Sequence, residues 1–423
     1  MPRSLCLGLI MCGSCIATCS ADDFPPVAEL PAVRGLPDLL TMFDGTPVTT
    51  AEQWRKQRRP ELKRLVQHYM YGYLPPKPEI ATRVTQTITG LCKGTVTLKE
   101  VELRFTNLPE TAPRIHLAIF YPEQATKAVP VFLALNPCGN SEVLDDPSIT
   151  VDEAAYRNKH CTEPLRGSKA DFWCVEYVTS RGYALATFHE SDIDPDLHDF
   201  TDGIHPFYRD QPIPEKSRPG TIAAWAWGLS CAVDYLATDG RIESGKISVL
   251  GHSRRGKAAL LAAVMDDRIA LVVPHQSGTG GMALSRDSQQ ETVERINRVF
   301  PHWFAAQFHE FDTEVDRLPF DQHALVALVA PRLVLDTEGT QDPWANFPRS
   351  LETLQAADPV YKLLGARGLV GQGLILDADP VVGSSFGTIL QCRLDGKHTL
   401  SLAYWERILD FADAQFRPDI PGE

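Results

Sequence analysis

The stretch Ile247-Ser248-Val249-Leu250-Gly251-His252-Ser253-Arg254-Arg255-Gly256-Lys257 constrains this chain more than any other. A short continuous apolar run is the pattern of a strand covered on both faces. Here it enters Gly-x-Ser and is followed at once by the small-residue helical pattern of Ala258, Ala259, Ala262 and Ala263. Strand, tight turn bearing a serine, then helix is the context of a nucleophile elbow. The turn lifts the serine oxygen above the sheet, and the helix N-terminus favours negative charge developing beside it. Gly-x-Ser alone would fit an ordinary strand–helix turn; the flanking pattern is what points to a nucleophile. The motif departs from Gly-x-Ser-x-Gly, since Arg255 stands where the second glycine usually does and Gly256 comes one place later.

Short apolar runs recur at 95–105, 116–121, 129–135, 183–188, 269–274 and 333–335, with helical patterns at 222–236, 257–265, 324–328 and 402–416 between or after them. Alternating strand and helix predicts an α/β fold with a mostly parallel central sheet flanked by helices, the three-layer α/β-hydrolase arrangement. The Pro-rich residues 22–48 are expected to wrap a single domain spanning 22–423. Thr49-x-x-Glu52 reads as a capping box opening a helix near 50–72, with a break or second start at Pro60.

Residues 1–21 read as an export segment: Arg3, an apolar run from Leu5 to Ile16, then small residues up to Ala21. Ile16-Ala17-Thr18-Cys19 reads alternatively as a lipid-attachment box. Either way a secreted or periplasmic product is expected, with no membrane span. Beyond that segment lie Cys92, Cys138, Cys161, Cys174, Cys231 and Cys392, for which disulfides are permitted and pairing is not deducible. No C-x-x-C or H-E-x-x-H occurs among these residues, so neither metal nor cofactor is expected in the chemistry. The formal charge of −13 grows one unit more negative once Arg3 is removed, which argues against nucleic acid or an anionic membrane as partner. A monomer is expected.

An α/β-hydrolase takes its acid from beyond a late strand and its histidine from the loop before the last helix. His398, in Asp395-Gly396-Lys397-His398-Thr399, alone among the 12 histidines occupies that place. Asp336, Glu338 and Asp342 all follow the strand around 333–335, and position alone leaves the three open. The chemistry these residues imply is acyl transfer: Ser253 attacks an ester carbonyl, His398 is the general base, and the Arg254 backbone N–H helps hold the oxyanion.

The residues also match a family. Gly251 to Lys257, Ser277-Gly278-Thr279-Gly280-Gly281, Phe300-Pro301-His302-Trp303-Phe304, Leu318 to His323, Asp342-x-Trp344 and Gly396-Lys397-His398 resemble the glucuronoyl esterases, carbohydrate esterase family fifteen; so do Arg181 to Ala184 and Trp225 to Gly228. The resemblance covers roughly residues 50–416 and accounts for the displaced glycine. It implies hydrolysis of esters of glucuronic acid, or its 4-O-methyl form on xylan, with alcohols that include those of lignin. It puts Ser253 and His398 on the nucleophile and base, and Arg254 on an arginine whose guanidinium also points at the oxyanion. Lys257, Glu291 and Trp344 fall on sugar contacts. Many members carry the acid as a glutamate immediately before Ser-Gly-x-Gly-Gly, where this chain has Gln276; others place it two residues before the tryptophan, where Asp342 sits, so the chain resembles the second kind, and the resemblance implies Asp342 as the acid ahead of Asp336 and Glu338.

Two other readings stay open at this point. One is an acetyl or general carbohydrate carboxylesterase. The other is a catalytically weak carbohydrate-binding relative, for which Gln276 speaks. From residue type alone, Lys257 would be solvated, Trp344 a core residue, and Glu291 part of a surface salt bridge with its charged neighbours.

Overall fold

The computed structural model describes residues 24–151, 166–377 and 386–417; the export segment and Cys161 lie outside them. Ten strands form one sheet: β1 (Ile80–Gly90), β2 (Val96–Phe105), β3 (Arg114–Pro122), β4 (Val129–Asn136), β5 (Ala184–His189), β6 (Ile242–His252), β7 (Ile269–His275), β8 (Leu333–Gly339), β9 (Leu374–Leu376) and β10 (Ile389–Leu394). Their order is β1-β2-β3-β5-β4-β6-β7-β8-β10-β9, antiparallel from β1 to β5 and parallel from there on. The longer helices are α1 (Arg59–Val66), α2 (Val175–Ser180), α3 (Thr221–Leu236), α4 (Arg254–Met265), α5 (Val293–Val299), α6 (Gln322–Val329), α7 (Phe347–Leu363) and α8 (Leu402–Phe416).

Alternation along β4 shows why the sheet is buried on both sides. Val131, Leu133 and Leu135 face one apolar cluster with α3, α4, α6 and α7, whereas Phe132 and Ala134 face a second with α2 and α8. A strand with both faces covered must be apolar throughout, as the run over 129–135 is. The result is the α/β-hydrolase arrangement that the strand–helix alternation predicts.

The N-terminal segment lies along the body. The Val33 N–H donates to the Asp316 carbonyl (2.8 Å), the Tyr69 hydroxyl donates to Pro25 (2.6 Å), and His323 Nε2 meets the Pro37 carbonyl (2.8 Å). The capping box is shifted one place from its expected position. Thr50 is the cap and Gln53 its reciprocal partner, whose side-chain oxygen also accepts from the Thr49 N–H (2.9 Å). Pro60 does not break the helical stretch. A widened π turn over Trp54–Arg58 ends with the Arg59 N–H bonded to Trp54, and Pro60 falls in the first turn of α1, where no N–H is required. Cys138 is disulfide-bonded, while Cys92, Cys174, Cys231 and Cys392 are free.

Candidate active site

Four adjacent parallel strands each deliver a site residue just past their C-terminal ends. Ser253 follows β6, Gln276 and the Ser277–Gly281 loop follow β7, Asp342 follows β8, and His398 follows β10. This is the edge at which open α/β sheets bind ligands. A cavity of about 390 Å³ opens there, and Ser253, Arg254, Lys257, Glu291, Trp344 and His398 are among its lining residues.

Ser253 caps α4 with φ 60° and ψ −128°, a conformation that costs free energy for any residue with a Cβ and marks a functional turn. The turn closes tightly. A Cβ on Gly251 would lie 2.1 Å from the Arg255 carbonyl oxygen, and one on Gly256 would lie 2.8 Å from the Gly251 carbonyl and 2.9 Å from Ser277. The small residue is therefore needed at 256, and the Arg255 side chain is free to pair with Glu190 (2.6 Å). The N–H groups of Arg254 and Arg255, in the first turn of α4, have no helical carbonyl behind them.

His398 Nδ1 lies 2.5 Å from Asp342 Oδ2. The other Asp342 oxygen accepts from the Trp344 N–H (3.2 Å) and the Ala345 N–H (3.4 Å), so the carboxylate is fixed while it holds the ring. Nε2 is then the nitrogen left for the serine. Ser253 and His398 line the same cavity without a hydrogen bond between their side chains, as is common before substrate tightens such contacts. Asp336 and Glu338 are occupied elsewhere: Gln391 donates to Asp336 (2.7 Å) and Ser350 to Glu338 (3.2 Å). Of the three acids that strand position leaves open, Asp342 is the one bonded to the imidazole.

Burial pushes both inner carboxyls up, Asp336 to about 6 and Glu338, which also faces Asp336, well above the ordinary range. A carboxyl raised in the folded state contributes stability that is complete below its unfolded pKa of about 4 and is lost as pH climbs through the raised value. The contribution of this pair to thermal stability is therefore expected to fall between about pH 4 and pH 7, and Asp336→Asn should make the melting temperature fall less, or rise more, than that of the wild type across that range. An unchanged slope would remove these groups from the account.

Gln276, at the position where many members of the resembled family carry the acid, holds the histidine loop. Its Nε2 donates to the Lys397 carbonyl (2.9 Å) and lies 3.2 Å from the Tyr404 hydroxyl. A carboxylate there would turn an acceptor toward a carbonyl. Gln276→Glu is thus expected to cost about 1–3 kcal/mol of stability, read by urea denaturation, and to bring no gain in rate. A faster, equally stable variant would contradict this.

The Arg254 guanidinium pairs with Asp196 and lies 4.8 Å from the Phe300 ring centre and 4.5 Å from that of Trp303. Asp196 also accepts from Trp303 Nε1 (2.8 Å) and meets His302 Nε2 (2.9 Å). Burial alone would raise the Asp196 carboxyl, but His302, Arg254 and Trp303 more than offset it and hold it well below the usual range. Sequence reasoning missed Asp196; the Phe300–Phe304 motif was visible, but not what it surrounds.

Lys257 is 2% exposed rather than solvated, and its ammonium donates to the carbonyls of Ser277 (2.7 Å) and Thr279 (2.5 Å) and to Glu291 Oε2 (3.1 Å). Burial pulls the lysine pKa down and pushes the glutamate up, each partly offset by the other. Glu291 is thus no surface charge. The same oxygen takes the Thr279 N–H (2.9 Å), and a Cβ on Gly278 would lie 2.4 Å from it. With the three ammonium protons engaged, the second Glu291 oxygen is the group of this pair left to accept a ligand hydroxyl. Trp344 is 44% exposed at the rim rather than in the core, with the Arg295 guanidinium 4.2 Å from its ring centre. Among the described residues no group of three or more His, Cys, Asp or Glu side chains is placed to hold a metal, and no helix is long and apolar enough to cross a membrane.

A family model described as glucuronyl esterase, fungi, matches residues 165–365. A protein named carbohydrate esterase MZ0003, from an unknown prokaryotic organism, is 42% identical over 388 residues, covering 89% of each chain. The structure of a promiscuous CE15 esterase from a marine bacterial metagenome superposes with a TM-score of 0.79 at 41% identity, covering 92% of this chain and 98% of that one. The glucuronoyl esterase of Solibacter usitatus gives a TM-score of 0.83 at 32% identity, covering 92% and 100%.

Proposed function

We propose, from the premise that this chain belongs to the glucuronoyl esterases of carbohydrate esterase family 15, that it hydrolyses esters of glucuronic acid or its 4-O-methyl form, such as those joining glucuronoxylan to lignin alcohols. The observation that carries the reading is the His398–Asp342 pair over a cavity whose floor is the Ser253 elbow.

In the proposed mechanism His398 Nε2 takes the Ser253 proton as Oγ bonds to the ester carbon, and the carbonyl electron pair moves onto oxygen. Arg254, through its backbone N–H and its guanidinium, faces that oxyanion; an ester is neutral, so the attraction grows only as charge develops. Collapse expels the alcohol, which takes the proton from the imidazolium. Water, deprotonated by the same nitrogen, attacks the acyl-enzyme, and collapse then releases the acid and restores Ser253. Asp342 keeps Nδ1 protonated and stabilises the imidazolium throughout. Lys257 holds Glu291 and the Ser277–Gly281 loop in shape, Glu291 takes a sugar hydroxyl, and Trp344 covers the ring.

We read residues 1–21 as an export segment and place the enzyme outside the cytoplasm as a monomer, with lipidation at Cys19 as the alternative to cleavage. The deciding assay compares methyl glucuronate with p-nitrophenyl acetate. The expected outcome is a kcat/KM at least tenfold higher on the uronate. A second reading, a broad carboxylesterase, is favoured by the description of the 41%-identical relative as promiscuous; preference for the acetate would select it.

A further inference from the structure

Two cavities meet at the nucleophile. Besides the one that holds Lys257, Glu291 and Trp344, a second of about 310 Å³ shares Ser253, Arg254 and His398 in its wall. Its remaining lining includes Leu135, Glu142, Phe172, Trp173, Leu250 and His252. Glu142 follows β4 and is 2% exposed, yet among the described residues no group hydrogen-bonds to either carboxyl oxygen. The buried Trp173 indole N–H is also without a partner among the described residues; it is close enough to the carboxyl to lower its pKa but not in bonding geometry with it. A buried acceptor and a buried donor left unpaired in one chamber are costly, and such groups call for an explanation. The sugar half of an ester has its place in the first cavity, so the half on the other side of the scissile bond needs the second.

We propose that this second chamber receives the alcohol half of the ester, and that Glu142 with the Trp173 indole binds a further hydroxyl on an alcohol of apolar or aromatic body. The inference rests on the esterase reading and adds the alcohol specificity to it. Phe172, Trp173, Leu135 and Leu250 supply the apolar wall, and a volume at the lower end of small-molecule pockets suits one ring rather than a polymer. Burial pushes the Glu142 carboxyl up to about 7, so near neutrality it both donates and accepts, as a hydroxyl partner requires.

The test uses glucuronate esters with one acid and three alcohols: methyl, benzyl and meta-(hydroxymethyl)benzyl. The readout is the kcat/KM ratio of the hydroxylated to the plain benzyl ester, taken within each variant so that general losses cancel. The wild type should favour the hydroxylated ester by about tenfold, and Glu142→Leu and Trp173→Phe should each bring the ratio close to one. A wild-type ratio near one, or variants that keep the preference, would overturn the proposal. Failure on all three esters, methyl included, would instead overturn the esterase reading beneath it. If the variants do not fold, wild-type inhibition decides: meta-benzenedimethanol should compete about tenfold more tightly than benzyl alcohol, and equal inhibition counts against the chamber.

Discussion

Ser253→Ala is expected to lower kcat on a glucuronate ester by about 10⁵-fold while leaving KM within a few-fold, because the proposed nucleophile is removed and the proposed sugar contacts are not. The residual rate should still exceed that in water by about 10³-fold, since Arg254 and the bound geometry remain. The Ser253 hydroxyl makes no cap hydrogen bond to α4, so no bond of that kind is lost with it. The strained φ of 60° is the same for alanine as for serine, so the melting temperature should hold. Steady-state kinetics beside a melting scan separates the two effects. A rate loss under tenfold in a fully folded variant would mean that another group, or none, forms the acyl-enzyme, and the silent carbohydrate-binding reading would regain its ground.

What was legible in the sequence is what local pattern encodes. The parallel strands read as apolar runs because both faces are covered, and β4, β5 and β7 fell within a residue of expectation, while β6 begins five residues earlier, at Ile242. The edge and the late strands did not. Most of β1 is exposed and polar, β9 has three residues, and β10 carries Gln391 and Arg393 within six. The helix α7 was hidden by Pro348 at its start and Pro359 inside it. The same division runs through the site. Ser253 and His398 were readable because an elbow and a closing helix leave local signatures. The Asp196–Arg254 pair spans 58 residues and the Gln276–Lys397 bond 121, and no periodicity reports contacts of that kind. Burial misled in the other direction: Lys257 and Glu291 are ordinary surface residues by type, and only the glycines at 278 and 280–281, which let the loop close over them, hint otherwise.

Asp342→Asn carries the second large effect, an expected loss of about 10³- to 10⁴-fold in kcat with KM little changed. The amide can still sit against Nδ1, but with its NH₂ toward the ring it selects the tautomer that puts the proton on Nε2, where the serine needs a base. It also removes the negative charge that stabilises the imidazolium. No neighbouring acid can take over. Asp336 is bonded to Gln391 and Glu338 to Ser350, and burial favours the protonated form of both. Gln276 cannot either, since it is neutral and its amide is committed to the Lys397 carbonyl. Folding should change modestly, because the bonds from the Trp344 and Ala345 N–H groups can be kept by the asparagine oxygen. Undiminished turnover in Asp342→Asn, together with loss in Glu338→Gln, would move the acid to the strand itself and show that the pairing of Asp342 with His398 serves the loop rather than the reaction.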